Sequence, residues 1–275
     1  PNQIKAVSTS VIANLASDSV PNLSTAQIQA LTGAQITALG GNGLSGLSSD
    51  QIGALSTAAI NTLSGAQINA LGTSTIGSLS TSQLRALSSS AINTLSSAQV
   101  AQLDTKIATL TSSQIGALST TVVRELSSAQ IQALGTAGIA ALRTNQIQAL
   151  DTEDVTNLTF AQIGGLSTSQ IAALTASQIV GLETADMGAL SSGQIRALGT
   201  SALSALSSSQ IRTLSSTQLQ ALTSSQIQAL GTGGINQLST AQISTLSSGN
   251  ISALSSSQIV NLDSTLFGKL TASQI

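Results

Sequence analysis

The side chains that could do chemistry in this 275-residue chain are few, and most are carboxylic. Asp151, Glu153 and Asp154 form the densest acidic group, and Glu183 and Asp186 repeat two of those positions one longer period downstream. Hard cations such as Ca²⁺ take about six to eight oxygen ligands, so a calcium site between neighbouring repeats is one reading of these five residues. Their spacing matches neither an EF-hand loop nor a glycine–aspartate nonapeptide. The favoured reading is local. Asp151 and Glu183 fall at helix N-caps, with Glu153, Asp154 and Asp186 in the first turns, where the helix dipole attracts carboxylates.

Catalysis has less to work with. His and Cys are absent, and no Ser is distinguished from its many neighbours. Lys5, Lys106 and Lys269 lie far apart. General acid–base and nucleophilic mechanisms need such groups paired. The sequence therefore predicts a non-enzymatic chain with no catalytic, cofactor-binding or metal residue and no cofactor.

The elements that carry these residues are set by a repeat. From Val7 to Ile275 the chain restarts every eight residues as Leu, Ser or Thr, two small residues, Gln, Ile, a variable residue and Ala, as in Leu126–Ala133, Leu222–Ala229 and Leu238–Thr245. Fixed-period self-similarity marks a solenoid. In Leu126–Ala133, Ser127 and Gln130 have capping-box spacing, and Leu126 with Ile131 is placed as a hydrophobic staple. Each octad thus predicts one short capped helix, too short to stand alone. The leading Leu, the aliphatic at position six and often Ala at position eight should face inward. Lys5, Arg85, Arg124, Arg196 and Arg212 all occupy position seven, which marks it as outward. Positions three and four are small, suiting exposure or close packing. Phe160 at position three is expected outside, and Phe267 at position six in the core.

The expected fold is all-α, a solenoid of very short helices. A β-solenoid is the alternative, because Ser-, Thr- and Gly-rich repeats often build one. Against it, the apolar spacing does not alternate with period two.

A longer period lies inside the short one. Alternate octads carry Gln at position five without exception, from Gln35 and Gln51 through Gln258 and Gln274. The octads between them mostly carry another residue, such as Ala59, Ala91, Val122, Asp154 or Asn250. Octads thus pair into sixteen-residue units. Gly follows the leading Leu at Gly40, Gly72, Gly135, Gly199 and Gly231, all in every fourth octad, which suggests a coil of four helices. The octad beginning Leu103-Asp104-Thr105-Lys106-Ile107 is one residue short.

Composition narrows the partners. Charged residues make up 7% of the chain and the formal net charge is −2, so no polyanion is expected. Mean hydropathy is +0.33, yet Ser or Thr interrupts every octad, and no apolar run nears the ~18 residues of a membrane span. Gln3-Ile4 and Gln274-Ile275 both sit at positions five and six. Residues 1–275 therefore read as a single array, excerpted from a longer protein or serving as a filament subunit.

At the single-octad level, Leu222-Thr223-Ser224-Ser225-Gln226-Ile227 is similar to the first helix of TAL effector repeats. The second helix and base-reading loop of those repeats have no counterpart here, and a basic ladder is missing, so no nucleic-acid partner is expected. Across essentially all of its length the chain resembles the Ser/Thr/Ala-rich repeat regions of large secreted bacterial exoproteins and adhesins. That resemblance implies a stalk, spacer or self-associating filament segment, located outside the bacterial cell or on its surface. The partners it implies are neighbouring repeats or further copies of the same chain. The alternative is a binding module presenting Ser/Thr rows to carbohydrate, mineral or ice.

Overall fold

In a typical octad the leading Leu ends one helix and the Ser or Thr after it begins the next. Ser80 is representative, with an extended backbone at φ −68°, ψ 160°. The Gln83 N–H donates to its Oγ at 3.2 Å, and its own N–H donates to Gln83 Oε1 at 3.0 Å. The helix Thr81–Ala86 follows and stops at Leu87, whose φ −61°, ψ 135° returns the chain to extended backbone. The same reciprocal cap recurs at Ser48 with Gln51, Ser191 with Gln194 and Ser207 with Gln210. Such one- to two-turn helices fall short of the ~12–15 residues an isolated helix needs, so packing between turns of the coil holds them.

The computed structural model describes residues 2–15 and 19–275, and all regular structure among them is helical. The all-α repeat expectation is met, and the β-solenoid alternative is set aside. The chain divides into two compact units, Pro1–Leu142 and Arg143–Ile275. Each has the same internal plan. The core is a column of leading leucines and position-six aliphatics: Ile52, Ile60, Ile68 and Ile76 are fully buried, with Leu55, Leu63, Leu71 and Leu79 nearly so. The position-eight alanines are less committed, since Ala54, Ala70 and Ala86 are only half-buried. Position seven faces outward as expected, at Arg85, Arg124, Arg196 and Arg212.

Within each unit a helix packs against the helix three octads away, as Thr57–Asn61 does on Thr81–Ala86 and Thr168–Ala173 on Ser192–Ala197. One side of this contact joins residues 25 apart, as where Gln220 Nε2 donates to the Thr245 carbonyl at 2.6 Å. The other side joins residues 28 to 31 apart, as where Gln83 reaches the Leu55 and Ile52 carbonyls. One turn therefore takes about 28 residues, or roughly three and a half octads, in the manner of a solenoid whose repeats contact only their neighbours. The four-helix coil suggested by the glycine spacing is corrected accordingly. Those five glycines are not one class. Gly40, Gly135 and Gly231 have φ of 63°, 60° and 65°, a region that a Cβ disfavours, whereas Gly72 and Gly199 are ordinary N-caps at φ −63° and −67°.

Two further departures have local causes. The short octad is absorbed by a tighter 3₁₀ helix, Asp104–Thr109, entered through Asp104 at φ 47°. Phe267, expected in the core, is 52% exposed, and its neighbour Leu266 is buried instead. The Asp263 carboxylate accepts from the Thr265 N–H at 2.7 Å, one residue earlier than the position a Ser cap engages.

Candidate functional site: the position-five ladder

The most elaborated polar constellation sits at position five. Gln83 is 3% exposed. Its Oε1 completes the cap at Ser80, while its Nε2 donates to the Ile52, Gly53 and Leu55 carbonyls at 3.0, 3.1 and 3.0 Å. One amide thus closes its own helix N-terminus and ties it to the turn before. Gln99 does the same onto Ile68 and Leu71, and Gln114 onto Leu84 and Leu87. In the second unit Gln210 reaches Ile179 and Leu182, and Gln242 reaches Ile211 and Leu214. These carbonyls lie where one helix ends and the next begins, a point at which backbone acceptors lack helical partners.

Sequence reasoning assigned Gln to the cap and missed this second bond. A signal for it was present. A capping box accepts Glu as readily as Gln, yet no Glu stands at position five. The amide N–H₂ is therefore the group in use.

In alternate octads the position-five residue is usually smaller and makes no such bond. Ala59 and Ala91 are buried there, each with its N–H donating to a Ser hydroxyl. Three other kinds of substitute test the chemistry of the position. Lys106, in the short octad, donates Nζ to the Gly77 carbonyl and to the Leu79 carbonyl at 3.3 Å, so an ammonium takes the place of the amide. Sequence reading set Lys106 aside as one of three scattered lysines. Its position directly before the core residue Ile107 marks its role. Asn250, shorter by one carbon, donates Nδ2 to the Leu222 carbonyl at 3.2 Å.

Asp154 and Asp186 are the third kind of substitute. Asp151 is the N-cap of Thr152–Thr156 as expected, its Oδ1 accepting from the Asp154 N–H at 2.8 Å. The Asp151 N–H reaches Asp154 Oδ2 at 3.4 Å. Glu183 holds the N-cap position of Thr184–Ala189, and its N–H donates to Asp186 Oδ2 at 3.1 Å. Asp154 and Asp186 are buried, while Asp151, Glu153 and Glu183 are exposed. Burial, with the Asp151 and Glu153 carboxylates adding to it, pushes Asp154 up to about 6, against the lowering effect of the Asp151 hydrogen bond. Burial likewise raises Asp186. Among the described residues no three acidic side chains converge as a metal-ligand group. The five acids are organised by their helix starts, as the local reading has it.

Phe160 projects outward as expected, 60% exposed. Two of the position-seven arginines bond to the next turn: Arg85 Nε donates to the Thr109 carbonyl at 2.9 Å, and Arg212 Nη2 to Gln237 Oε1 at 2.9 Å. Among the described residues no helix is long and apolar enough to cross a membrane.

The geometry is that of a tandem array, and comparison with known families agrees. A family model described as the ALTTAQ repeat matches residues 44–81, 76–105, 107–144, 123–152, 147–182, 179–216 and 203–232, successive windows that cover more than half of the chain. No curated protein matches it. The windows are tandem copies of one repeat, and the chain belongs to the ALTTAQ repeat family.

Proposed function

We propose that this chain is a non-catalytic structural module, a stalk or spacer in a secreted or cell-surface bacterial protein, which associates through further coils of its own kind. The observation that carries this reading is the position-five ladder. It spends the most buried polar chemistry of the molecule on joining one turn to the next. Each added turn of about 28 residues would contribute the roughly 8–10 Å of a helix–helix spacing, so length would scale with repeat number. A net charge of −2 offers little self-repulsion to oppose association.

The extracellular placement rests on the resemblance to Ser/Thr/Ala-rich exoprotein and adhesin repeats. X-ray scattering of variants with seven octads added or removed tests the spacer reading. A maximum dimension that changes linearly with octad number supports it, and a constant dimension overturns it. Sedimentation over a hundredfold concentration range tests association, which a concentration-independent monomer would refute.

A further inference from the structure

Position five is where each repeat meets the carbonyls of the preceding turn, and at Asp186 it carries an acid. Asp186 is 6% exposed. The rungs on either side establish what it faces. Gln178 donates to the Ile147 and Leu150 carbonyls, and Gln194 to the Ile163 and Leu166 carbonyls. The register between them brings the Val155 and Leu158 carbonyls to Asp186. Asn250 shows that a side chain of this length reaches, since its amide bonds the Leu222 carbonyl 28 residues back. An amide or an ammonium can donate to these carbonyls, and so can a protonated carboxyl. A carboxylate cannot, and it sets negative charge against carbonyl oxygens in a buried place.

We propose that Asp186 is a proton-operated rung of the ladder. Protonated, its hydroxyl donates to the Leu158 carbonyl and joins the two turns; ionised, it gives up that bond and only packing remains there. One proton passes between water and a carboxyl oxygen, and no other bond changes. The inference rests on the fold and is independent of the spacer role.

The surroundings favour the neutral form. Glu183, on the same helix, adds negative charge. Of the helices packed against Thr184–Ala189, Phe160–Gly164 has no ionisable side chain. Ser208–Thr213 has only Arg212, which is turned onto Gln237. Ser216–Gln220, whose Gln218 bonds the Met187 and Leu190 carbonyls, carries no charge. Thr152–Thr156, in the preceding turn, brings the further carboxylates Glu153 and Asp154. Burial raises the Asp186 carboxyl above the ordinary carboxylate range, the Glu183 N–H lowers it, and the Glu183 carboxylate adds to the rise.

The test is a carbon-13 carboxyl titration of the whole chain by NMR, with amide hydrogen exchange at Met187 and Leu190 measured on wild type and Asp186→Asn. In wild type the Asp186 carboxyl should titrate above the ordinary aspartate midpoint. Across that midpoint, exchange corrected for its intrinsic pH dependence should accelerate at least threefold as pH rises. In Asp186→Asn, whose amide donates at every pH, the acceleration should be absent. An ordinary midpoint overturns the proposal, and so does an acceleration that survives in Asp186→Asn. If the variant does not fold, the wild-type midpoint and exchange profile decide alone.

Discussion

Replacing Gln83 by Ala removes a rung that hydrogen-bonds at both ends of its amide. Its Nε2 meets the Ile52, Gly53 and Leu55 carbonyls, and its Oε1 accepts from the Ser80 N–H at 3.0 Å and the Ser80 hydroxyl at 3.1 Å. The Ile52 carbonyl retains the Leu55 N–H at 3.1 Å, so its loss is partial. The Leu55 carbonyl is buried and loses the donor, which costs about 1–3 kcal/mol. Loss of the reciprocal cap adds about 0.5–1 kcal/mol, and each buried methylene about 0.8 kcal/mol. With one methylene lost, the sum is about 2.3–4.8 kcal/mol, or a local opening equilibrium roughly 50-fold larger or more.

Gln27 is the control. It makes the same capping box with Ser24, but among the described residues its amide meets no carbonyl of another turn, so Gln27→Ala should cost only about 0.5–1 kcal/mol. Native-state hydrogen exchange at the amides of Leu84 and Leu87, compared with Ile28 and Leu31 for the control, reads both. Equal, less than tenfold accelerations in the two variants would refute the claim that the amide joins turns. Gln83→Glu keeps the cap acceptor and abolishes the donor, so at neutral pH it should be at least as damaging as Ala.

Other positions give sharp outcomes. A Cβ at Gly65 would lie 2.4 Å from Thr94 Cγ2, so Gly65→Ala should lower stability by about 1–3 kcal/mol through overpacking, and Thr94→Ser should recover part of the loss in a urea melt. Gly135→Ala forces a Cβ into φ 60° and should cost about 1 kcal/mol, while Gly72→Ser at φ −63° supplies a missing cap and should raise the melting temperature. Asp154, held at about 6 against an ordinary 3.8, stabilises the fold fully below the lower value. That stability is lost as pH rises, down to a plateau above the higher value. At 1.36 kcal/mol per pKa unit the ceiling is about 3 kcal/mol, and solvent screening at this part-buried carboxyl brings the loss to about 1–2 kcal/mol; Asp154→Asn should remove it from a series of melts between pH 4 and pH 7.5.

Much of this architecture is written plainly in the residues. Ser127 and Gln130 predict the start of the helix Ser128–Ala133 to the residue, and the structure closes both halves of the box there. Leu126 and Ile131 predict the core, and both are buried. What was hidden is how one octad meets another three or four octads away. The cap explains Gln83 completely as long as only local bonds are considered, so its amide nitrogen goes unread until the preceding turn is in place. The number of octads per turn was hidden for the same reason. It depends on how the Leu and Ile side chains stack, and the glycine spacing that suggested four mixes positive-φ turns at Gly135 with ordinary caps at Gly199. Phe267 misled because position six is not inward everywhere: Ile259, behind an intact Ser255–Gln258 cap, is 48% exposed as well.

The central claim is that position-five amides hydrogen-bond across one turn of the coil, about three and a half octads back. Through-hydrogen-bond scalar coupling measures this without mutation, by correlating a side-chain amide nitrogen with the carbonyl carbon that accepts from it. The account predicts correlations from Gln83 Nε2 to the carbonyl carbons of Ile52 and Leu55, and from Gln210 Nε2 to those of Ile179 and Leu182. Side-chain amides of Gln83 and Gln210 that couple to no carbonyl, exchange freely with solvent and show no contact with those residues would contradict it.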